Sequence, residues 1–354
     1  MNQTHEEKRA SSVNEVVTPE DIYRMPEGYK GRAKNYPVSI APMMDWTDRH
    51  YRYMMRLITK KTLLYTEMIA AEAIIRGDKQ MLLDFQPIEH PIAVQLGGSD
   101  PDVLAKAAVI CEDWGYDEID LNVGCPSSRV QEGRFGACLM AQPDLVAECV
   151  EAMRSRVKIP VTVKHRIGID SLDKYEDLLN FVERVAPTEC DRFTVHARIA
   201  ILGGLNPKQN RTIPPLRYED VYALKEQFPE LCIEINGGIK TYDQMQGHLD
   251  RVDAVMLGRA AYEDPFMFAK VDELFFGEGE NKVTRRDVVE AMVPYIERDN
   301  ADKQLPIIRI TRHMLGLFRG QRGARYWRRS LSEKAKQQSR DPKLMLDVLD
   351  EMGF

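Results

Sequence analysis

Residues 118–126, Glu118-Ile119-Asp120-Leu121-Asn122-Val123-Gly124-Cys125-Pro126, decide the fold. The first four read as a short strand and the next five as a polar loop. Downstream, Gln142-Pro143-Asp144 puts proline at a helix start, and helix-type patterning runs from Asp144 to Arg156. The repeating unit is therefore strand, polar loop, helix. Further strands are expected at Ser39-Ile40-Ala41, Leu63-Leu64-Tyr65, Ile92-Ala93-Val94, Val161-Thr162-Val163, Arg192-Phe193-Thr194-Val195, Cys232-Ile233-Glu234-Ile235 and Ala254-Val255-Met256-Leu257. Helical patterning recurs at Asp102–Trp114, with Ser99-Asp100-Pro101 as its start signal, and at Tyr175–Val185, Tyr218–Phe228 and Tyr242–Leu249. Eight such units over about 235 residues indicate an α/β chain folded as a (β/α)8 TIM barrel. An open doubly wound sheet is the alternative.

The barrel is expected over residues 37–276. Residues 1–36 hold six Lys/Arg and six Asp/Glu without apolar periodicity, and read as a tail or arm. A polar, glycine-containing linker follows the barrel at 277–283. Val283-Thr284-Arg285-Arg286-Asp287 then looks like a helix start, and residues 284–354 read as a small helical bundle. The chain has 354 residues, 44% hydrophobic and 29% charged, which excludes collagen-like and wholly disordered classes. No apolar run approaches the ~18 residues of a membrane span. Six cysteines form no CxxC pair, so a reducing cytoplasm is expected. No metal site is expected: there is no HExxH, and the seven histidines do not cluster with cysteines.

In a barrel of this kind the chemistry sits where strands end. The residues there are Pro42-Met43-Met44, Glu67, Gln95, Asn122 through Pro126, Lys164-His165-Arg166, His196-Ala197-Arg198, Asn236-Gly237-Gly238 and Gly258-Arg259. One such Gln or His would be an ordinary cap. All eight strands delivering a polar or backbone-permissive group to one rim is harder to explain that way. Asn236-Gly237-Gly238 lets backbone amides approach a ligand, and Gly258-Arg259 adds a guanidinium, which together suit a phosphate. Lys164 supplies fixed charge beside a cofactor that turns anionic on reduction, and Gln95 and His196 can hydrogen-bond ring and phosphate edges. Cys125 is the candidate reactive residue. A free thiol has a pKa of about 8.5 and can donate a proton at neutral pH. Cys138 is its rival.

From Arg309 to Arg329 there are seven arginines and no acidic residue, in a chain of net charge −6. Arg325, Arg328 and Arg329 share a helix face. A solvated face is the ordinary meaning of such a run. Arginine rather than lysine, interleaved with Tyr326 and Trp327, favours contact with a nucleic-acid backbone. The two aromatics also fit as core anchors that aim the arginines.

The stretches APMMDWTDRHYR (41–52), IAVQLGG (92–98), DLNVGCPSSRVQEGRFGACLM (120–140), VKHRIGID (163–170), VHAR (195–198), EINGGI (234–239) and MLGRAAYEDP (256–265) closely resemble the tRNA-dihydrouridine synthases. GLNPKQNRTIPPLRY (204–218) and ITRHMLGLFRGQRGARYWRR (310–329) resemble the A-type bacterial subfamily, and the likeness covers about residues 37–335. It implies an FMN-bearing TIM barrel with a helical tRNA-binding domain. NADPH would reduce FMN, hydride would pass to C6 of a uracil in the tRNA D-loop, at position 20 or 20a, and Cys125 would protonate C5. The implied FMN contacts are Pro42, Met43, Met44, Gln95, Lys164, His196, Asn236, Gly237, Gly238, Gly258 and Arg259. Asn122 matches a position that touches the target nucleotide, and Arg166 is a further donor for the uracil carbonyl. Lys208, Arg211, Arg325 and Arg328 match RNA-contacting segments. Two rival readings are a flavin barrel acting on a free pyrimidine, as dihydroorotate dehydrogenases do, and a tRNA-binding module without catalysis.

Overall fold

Strand pairing explains why eight short segments become one sheet. A computed structural model describes residues 36–301, 305–337 and 340–354. In it β1 (Val38–Ile40), β2 (Leu64–Ala70), β3 (Ile92–Gly97), β4 (Glu118–Val123), β5 (Val161–Arg166), β6 (Phe193–His196), β7 (Ile233–Asn236) and β8 (Ala254–Leu257) run parallel, each beside its neighbour in sequence from β2 to β8. β1 pairs with β8, from Val38 opposite Val255 to Ile40 opposite Leu257. A bridge between Ser39 and Leu63 joins the other end of the ring, where the Ile40 amide donates to the Leu63 carbonyl at 3.0 Å. The fold is the expected TIM barrel. β3, β4, β7 and β8 are buried from end to end, as parallel strands covered by helices must be. The expected arm lies outside the described residues, apart from Tyr36.

All eight expected strands are present, but several run further than their apolar cores. Glu67, Gln95, Asn122, Lys164 and Arg166 lie on strands and not in the loops after them. The ladder continues because the partners remain in register: Asn122 faces Lys164, and Arg166 faces His196. Polar side chains are tolerated there because alternate residues point into the barrel mouth.

The crossover helices are α1 (Arg49–Ile58), α2 (Ala71–Arg76), α3 (Pro101–Trp114), α4 (Pro143–Arg154), α5 (Tyr175–Val185), α6 (Tyr218–Gln227), α7 (Tyr242–Leu249) and α8 (Val271–Phe276). α3 shows how its ends are set. The Asp100 carboxylate accepts from the Val103 amide, Pro101 opens the helix, and Gly115 closes it in the left-handed region. Its buried stripe, Leu104, Ala107, Ala108 and Cys111, faces the sheet side of the barrel wall.

The barrel interior below the mouth is polar. Arg192, just ahead of β6, forms ion pairs with Glu118 and Glu234 and donates to Tyr65 Oη at 2.6 Å. Ser39 and Thr194 donate to the two oxygens of Glu234 at 2.5 and 2.6 Å. Burial pushes the Glu118 carboxyl up to about 7 against the pull of Arg192.

Beyond Arg285 the described elements are all helical: α9 (Arg285–Asn300), α10 (Ile308–Thr311), α11 (Ala324–Gln337) and α12 (Leu344–Met352). Thr284 and Asp287 form the expected helix start, each side chain accepting from the other's amide. Trp327 is fully buried, donates from Nε1 to the Met314 carbonyl at 2.9 Å and packs on Phe318. It is the core anchor of this region.

Asp48 joins the helices to the barrel. Its Oδ1 caps α1, accepting from the amides of His50 and Tyr51, while its Oδ2 meets Arg312 Nη2 and His313 Nε2, both at 2.9 Å. His50 Nε2 accepts from Arg309, so Nδ1 carries the proton and donates to Tyr295 Oη at 2.7 Å. Burial pushes that imidazole down to about 3. Arg309 and Arg312 therefore brace the junction and do not belong to an open basic face, a correction to the seven-arginine reading. Burial alone would raise the Asp48 carboxyl, but its hydrogen bonds to His313 and the Tyr51 amide hold it below the ordinary range. A depressed carboxyl stabilises the fold above its unfolded pKa of about 3.9 and loses that effect as pH falls below it. Asp48→Ala is expected to cost about 2–4 kcal/mol in urea unfolding at pH 7, and much less near pH 2. A cost below about 0.5 kcal/mol at pH 7 would show that this contact does not hold the junction.

Candidate active site

The carboxyl ends of the strands surround a cavity of about 560 Å³. That is the size range of small-ligand sites, about 300–1,000 Å³. All eleven residues expected to bind the cofactor line it: Pro42, Met43, Met44, Gln95, Lys164, His196, Asn236, Gly237, Gly238, Gly258 and Arg259. Cys125, Asn122, Arg166 and Arg211 line it too. Lys208, Arg325 and Arg328 do not; all three are exposed elsewhere on the surface.

One wall carries a glycine pair and Arg259. Gly237 and Gly238 have φ of 124° and 76°. A Cβ at Gly237 would stand 2.9 Å from His196 Cδ2, and one at Gly238 would stand 2.6 Å from Leu216 Cδ1. Only glycine fits both the dihedrals and the space. The turn is braced from α6, where Tyr218 Oη donates to the Gly237 carbonyl at 2.6 Å. Arg259 follows Gly258 directly and donates to the Arg211 carbonyl at 3.2 Å, which ties the rim loop to β8.

The centre of the cavity carries cations and a neutral imidazole. Lys164 donates to Asn236 Oδ1 at 3.2 Å, and Asn236 Nδ2 donates to the Met256 carbonyl at 2.7 Å. Burial pushes the Lys164 ammonium down, and Asp120 pulls it back up. Burial, then the charges of Arg166, Lys164, Arg198 and Arg259, hold the His196 imidazole well below its ordinary range. His196 therefore offers one donor and one acceptor nitrogen at neutral pH. Its neighbour His165 points outward to Phe181 and Phe193, with its ring centroid 4.9 and 6.0 Å from theirs.

Cys125 sits opposite, half-buried, on the loop after β4. Asn122 holds that loop, its Oδ1 accepting from the amides of Gly124 and Cys125 at 3.2 and 3.0 Å. The rival thiol of Cys138 does not line the cavity and donates to the Phe135 carbonyl. Arg166 was expected to reach substrate. It lines the cavity, but its guanidinium already donates to the carbonyls of Gly124, Ile199 and Asn210, at 2.9, 3.0 and 3.2 Å. Its main work is to fasten the thiol loop to the rim loop.

Several lining residues lie outside the expected set. Trp46 stacks on Tyr262 with ring centroids 4.4 Å apart, and Met68 and Met256 supply apolar lining. Trp46 was within reach of the strand-end rule, two residues past Met44. Glu67 does not line the cavity; it accepts from the Asp45 amide at 2.5 Å and braces the loop after β1. Asn210, fully buried, pins the rim loop by donating to the carbonyls of Ile201 and Leu205. Nothing in its local sequence marked it. Among the described residues, no group of three or more His, Cys, Asp and Glu is placed to hold a metal, and no helix is long and apolar enough to cross a membrane.

A family model described as dihydrouridine synthase matches residues 39–352. A protein of Synechocystis named tRNA-dihydrouridine(20/20a) synthase is 59% identical over 320 residues, 90% of this chain and 95% of that one. Proteins of the same name from Vibrio parahaemolyticus and Escherichia coli are 54% and 55% identical, over 88% and 86% of this chain and 95% and 92% of theirs. Among solved structures, an old yellow enzyme homologue from Zymomonas mobilis shares the fold, with a TM-score of 0.50 at 13% identity over 67% of this chain and 88% of that one.

Removing the Arg166 side chain would leave three carbonyls without their donor. Arg166→Ala is expected to lower stability by about 2–4 kcal/mol and to speed proteolysis between residues 199 and 211. Unchanged thermal unfolding and cleavage rates would contradict the fastening role.

Proposed function

The chain belongs to the dihydrouridine synthase family, and from that membership we propose that it reduces the C5–C6 double bond of uridines in the tRNA D-loop, at positions 20 and 20a. One observation carries the reading: a thiol and an anion cradle face a single cavity large enough for a planar ring between them. Cys125 supplies the thiol; Gly237, Gly238 and Arg259 form the cradle. The residues present fit FMN. Backbone approach without a Cβ suits its phosphate, a buried ammonium suits a ring that gains negative charge, and the amide of Gln95 and the neutral His196 suit its polar edges. Bound there, FMN would supply the hydride for C6, after taking one from NADPH.

The chain's own groups do the rest. Pro42, Met43 and Met44 support the ring from the loop after β1, and Met44, 56% exposed, lies at the outer edge. Asn122 and Lys164 face the position of the uracil carbonyls, where donors offset charge that develops during reduction. Cys125 Sγ delivers its proton to C5. The base must first leave its stack, at a cost of a few kcal/mol. The helical residues 284–354 act as the tRNA-binding part, and phosphate contacts there offset that cost without reading sequence. Arg322, Arg325, Arg328 and Arg329 are exposed, and among the described residues none has an acidic partner. Lys208 and Arg211 continue the basic track to the cavity rim. A free pyrimidine as substrate would leave that track without work. We place the reaction in the cytoplasm, in keeping with six free cysteines.

The test is to incubate the chain with NADPH and tRNA lacking dihydrouridine and to map the product by position. Conversion at 20 and 20a is expected, and conversion confined to free uridine would overturn the reading. Cys125→Ala should retain flavin and tRNA while product formation falls by at least about a hundredfold; undiminished turnover would remove Cys125 from its role. Arg325→Ala with Arg328→Ala should weaken tRNA binding and reduce its log–log salt slope by about 2, with NADPH oxidation intact. An unchanged slope would rule out phosphate contact by this face.

A further inference from the structure

Asp120 touches neither the thiol nor the proposed substrate position, yet it ends a chain of hydrogen bonds that begins at the reactive thiol's own backbone. The Cys125 amide donates to Asn122 Oδ1 at 3.0 Å. Asn122 Nδ2 donates to Gln95 Oε1 at 2.7 Å, and Gln95 Nε2 donates to Asp120 Oδ2 at 2.7 Å. The other carboxylate oxygen accepts from Thr162 Oγ1 at 3.1 Å. All three side chains are buried, Asp120 completely.

Such a chain has a direction. A side-chain amide donates from nitrogen and accepts at oxygen, whereas an ionised carboxylate only accepts. The Cys125 amide can only donate, so Asn122 must turn its oxygen to the loop and its nitrogen to Gln95. Gln95 must then present its oxygen to Asn122 and its nitrogen to an acceptor below. Burial pushes the Asp120 carboxyl up, while the Gln95 bond and the Lys164 charge favour its ionised form, the acceptor the chain needs. With a donor fixed at one end and an acceptor at the other, neither amide can turn over without leaving a buried group unpaired.

We infer that Asp120 is a positioning residue: through Gln95 and Asn122 it holds the loop that presents Cys125 to the cavity. The inference rests on the reading of Cys125 as the proton donor. It assigns work to a residue five positions before the thiol on β4, acting through Gln95 of the neighbouring β3, and it makes Asn122 and Gln95 parts of a support as well as of the cavity wall.

Reversing the chain tests it with isosteric substitutions. Asn122→Asp keeps an acceptor for the Cys125 amide but sets a carboxylate oxygen against Gln95 Oε1. Turning Gln95 over would only move the conflict down to Asp120. Asp120→Asn alone keeps the original direction, since its oxygen can face Gln95 and its nitrogen can face the Thr162 hydroxyl. Combined with Asn122→Asp it permits the whole chain to run backwards: Asn at 120 donates to Gln95, and Gln95 donates to Asp at 122. The measurement is the rate of iodoacetamide alkylation at Cys125 in the flavin-loaded protein, followed by mass spectrometry of the Cys125 peptide. Asn122→Asp should change that rate at least about threefold, Asp120→Asn should leave it within about twofold of the parent, and the double variant should return to within about twofold. A double variant no closer to the parent than Asn122→Asp overturns the inference, as does an Asn122→Asp rate equal to the parent's. The alkylation assay needs no tRNA, so a parent chain that shows this pattern but converts no tRNA uridine would sink the functional reading and leave the support intact.

Discussion

Arg192 lies inside the barrel between Glu118 and Glu234, with no surface open to water. A buried guanidinium is tolerated only where its charge and donors are met, and here five strands contribute. β4 and β7 bring the carboxylates, β2 brings Tyr65, and β1 and β6 bring the hydroxyls that complete Glu234. Removing one partner would leave uncompensated charge in the interior, a loss that commonly reaches about 3–5 kcal/mol. The strands are thus cross-linked beneath the mouth by groups that cannot slip one residue without losing a partner. The positions of Gln95, Asn122, Lys164, His196 and Asn236 at the rim follow from that registration.

Above the floor, the cavity divides its work between opposite walls. The loops after β7 and β8 bring Gly237, Gly238 and Arg259 to one wall, and the loop after β4 brings Cys125 to the other. Lys164 lies between them, desolvated but drawn toward the charged form by Asp120. Arg166 spans the gap between the thiol loop and the loop carrying Arg211. Its three carbonyl contacts explain why an arginine is required there for shape, whatever it also contributes by charge.

Much of this was legible in the linear sequence, and the limits have physical causes. The eight strands announced themselves through β-branched and aliphatic runs such as Val161-Thr162-Val163. Their ends did not, because Lys164 and Arg166 continue the ladder while pointing into the mouth, and a polar residue there looks like the start of a loop. The glycine turn was visible because Gly237 and Gly238 answer a local backbone demand. The polar floor was invisible because Glu118, Arg192 and Glu234 look like solvent-facing strand residues until the ring closes around them. Arg309 and Arg312 misled for the same reason: only the fold brings them to His50 and Asp48, more than 250 positions away in the chain. Asp120 acts through Gln95 and Thr162, distant in sequence, so no local pattern could single it out.

The junction at Asp48 has one more consequence. Because the same carboxylate caps α1 and grips Arg312 and His313, the exposed arginines of α11 are carried at a set separation from the mouth. If those arginines seat the RNA backbone, the enzyme works as a fixed gauge. The base it captures is chosen by how far it lies from the seat along a rigidly folded polynucleotide, with no need to inspect the letters on either side.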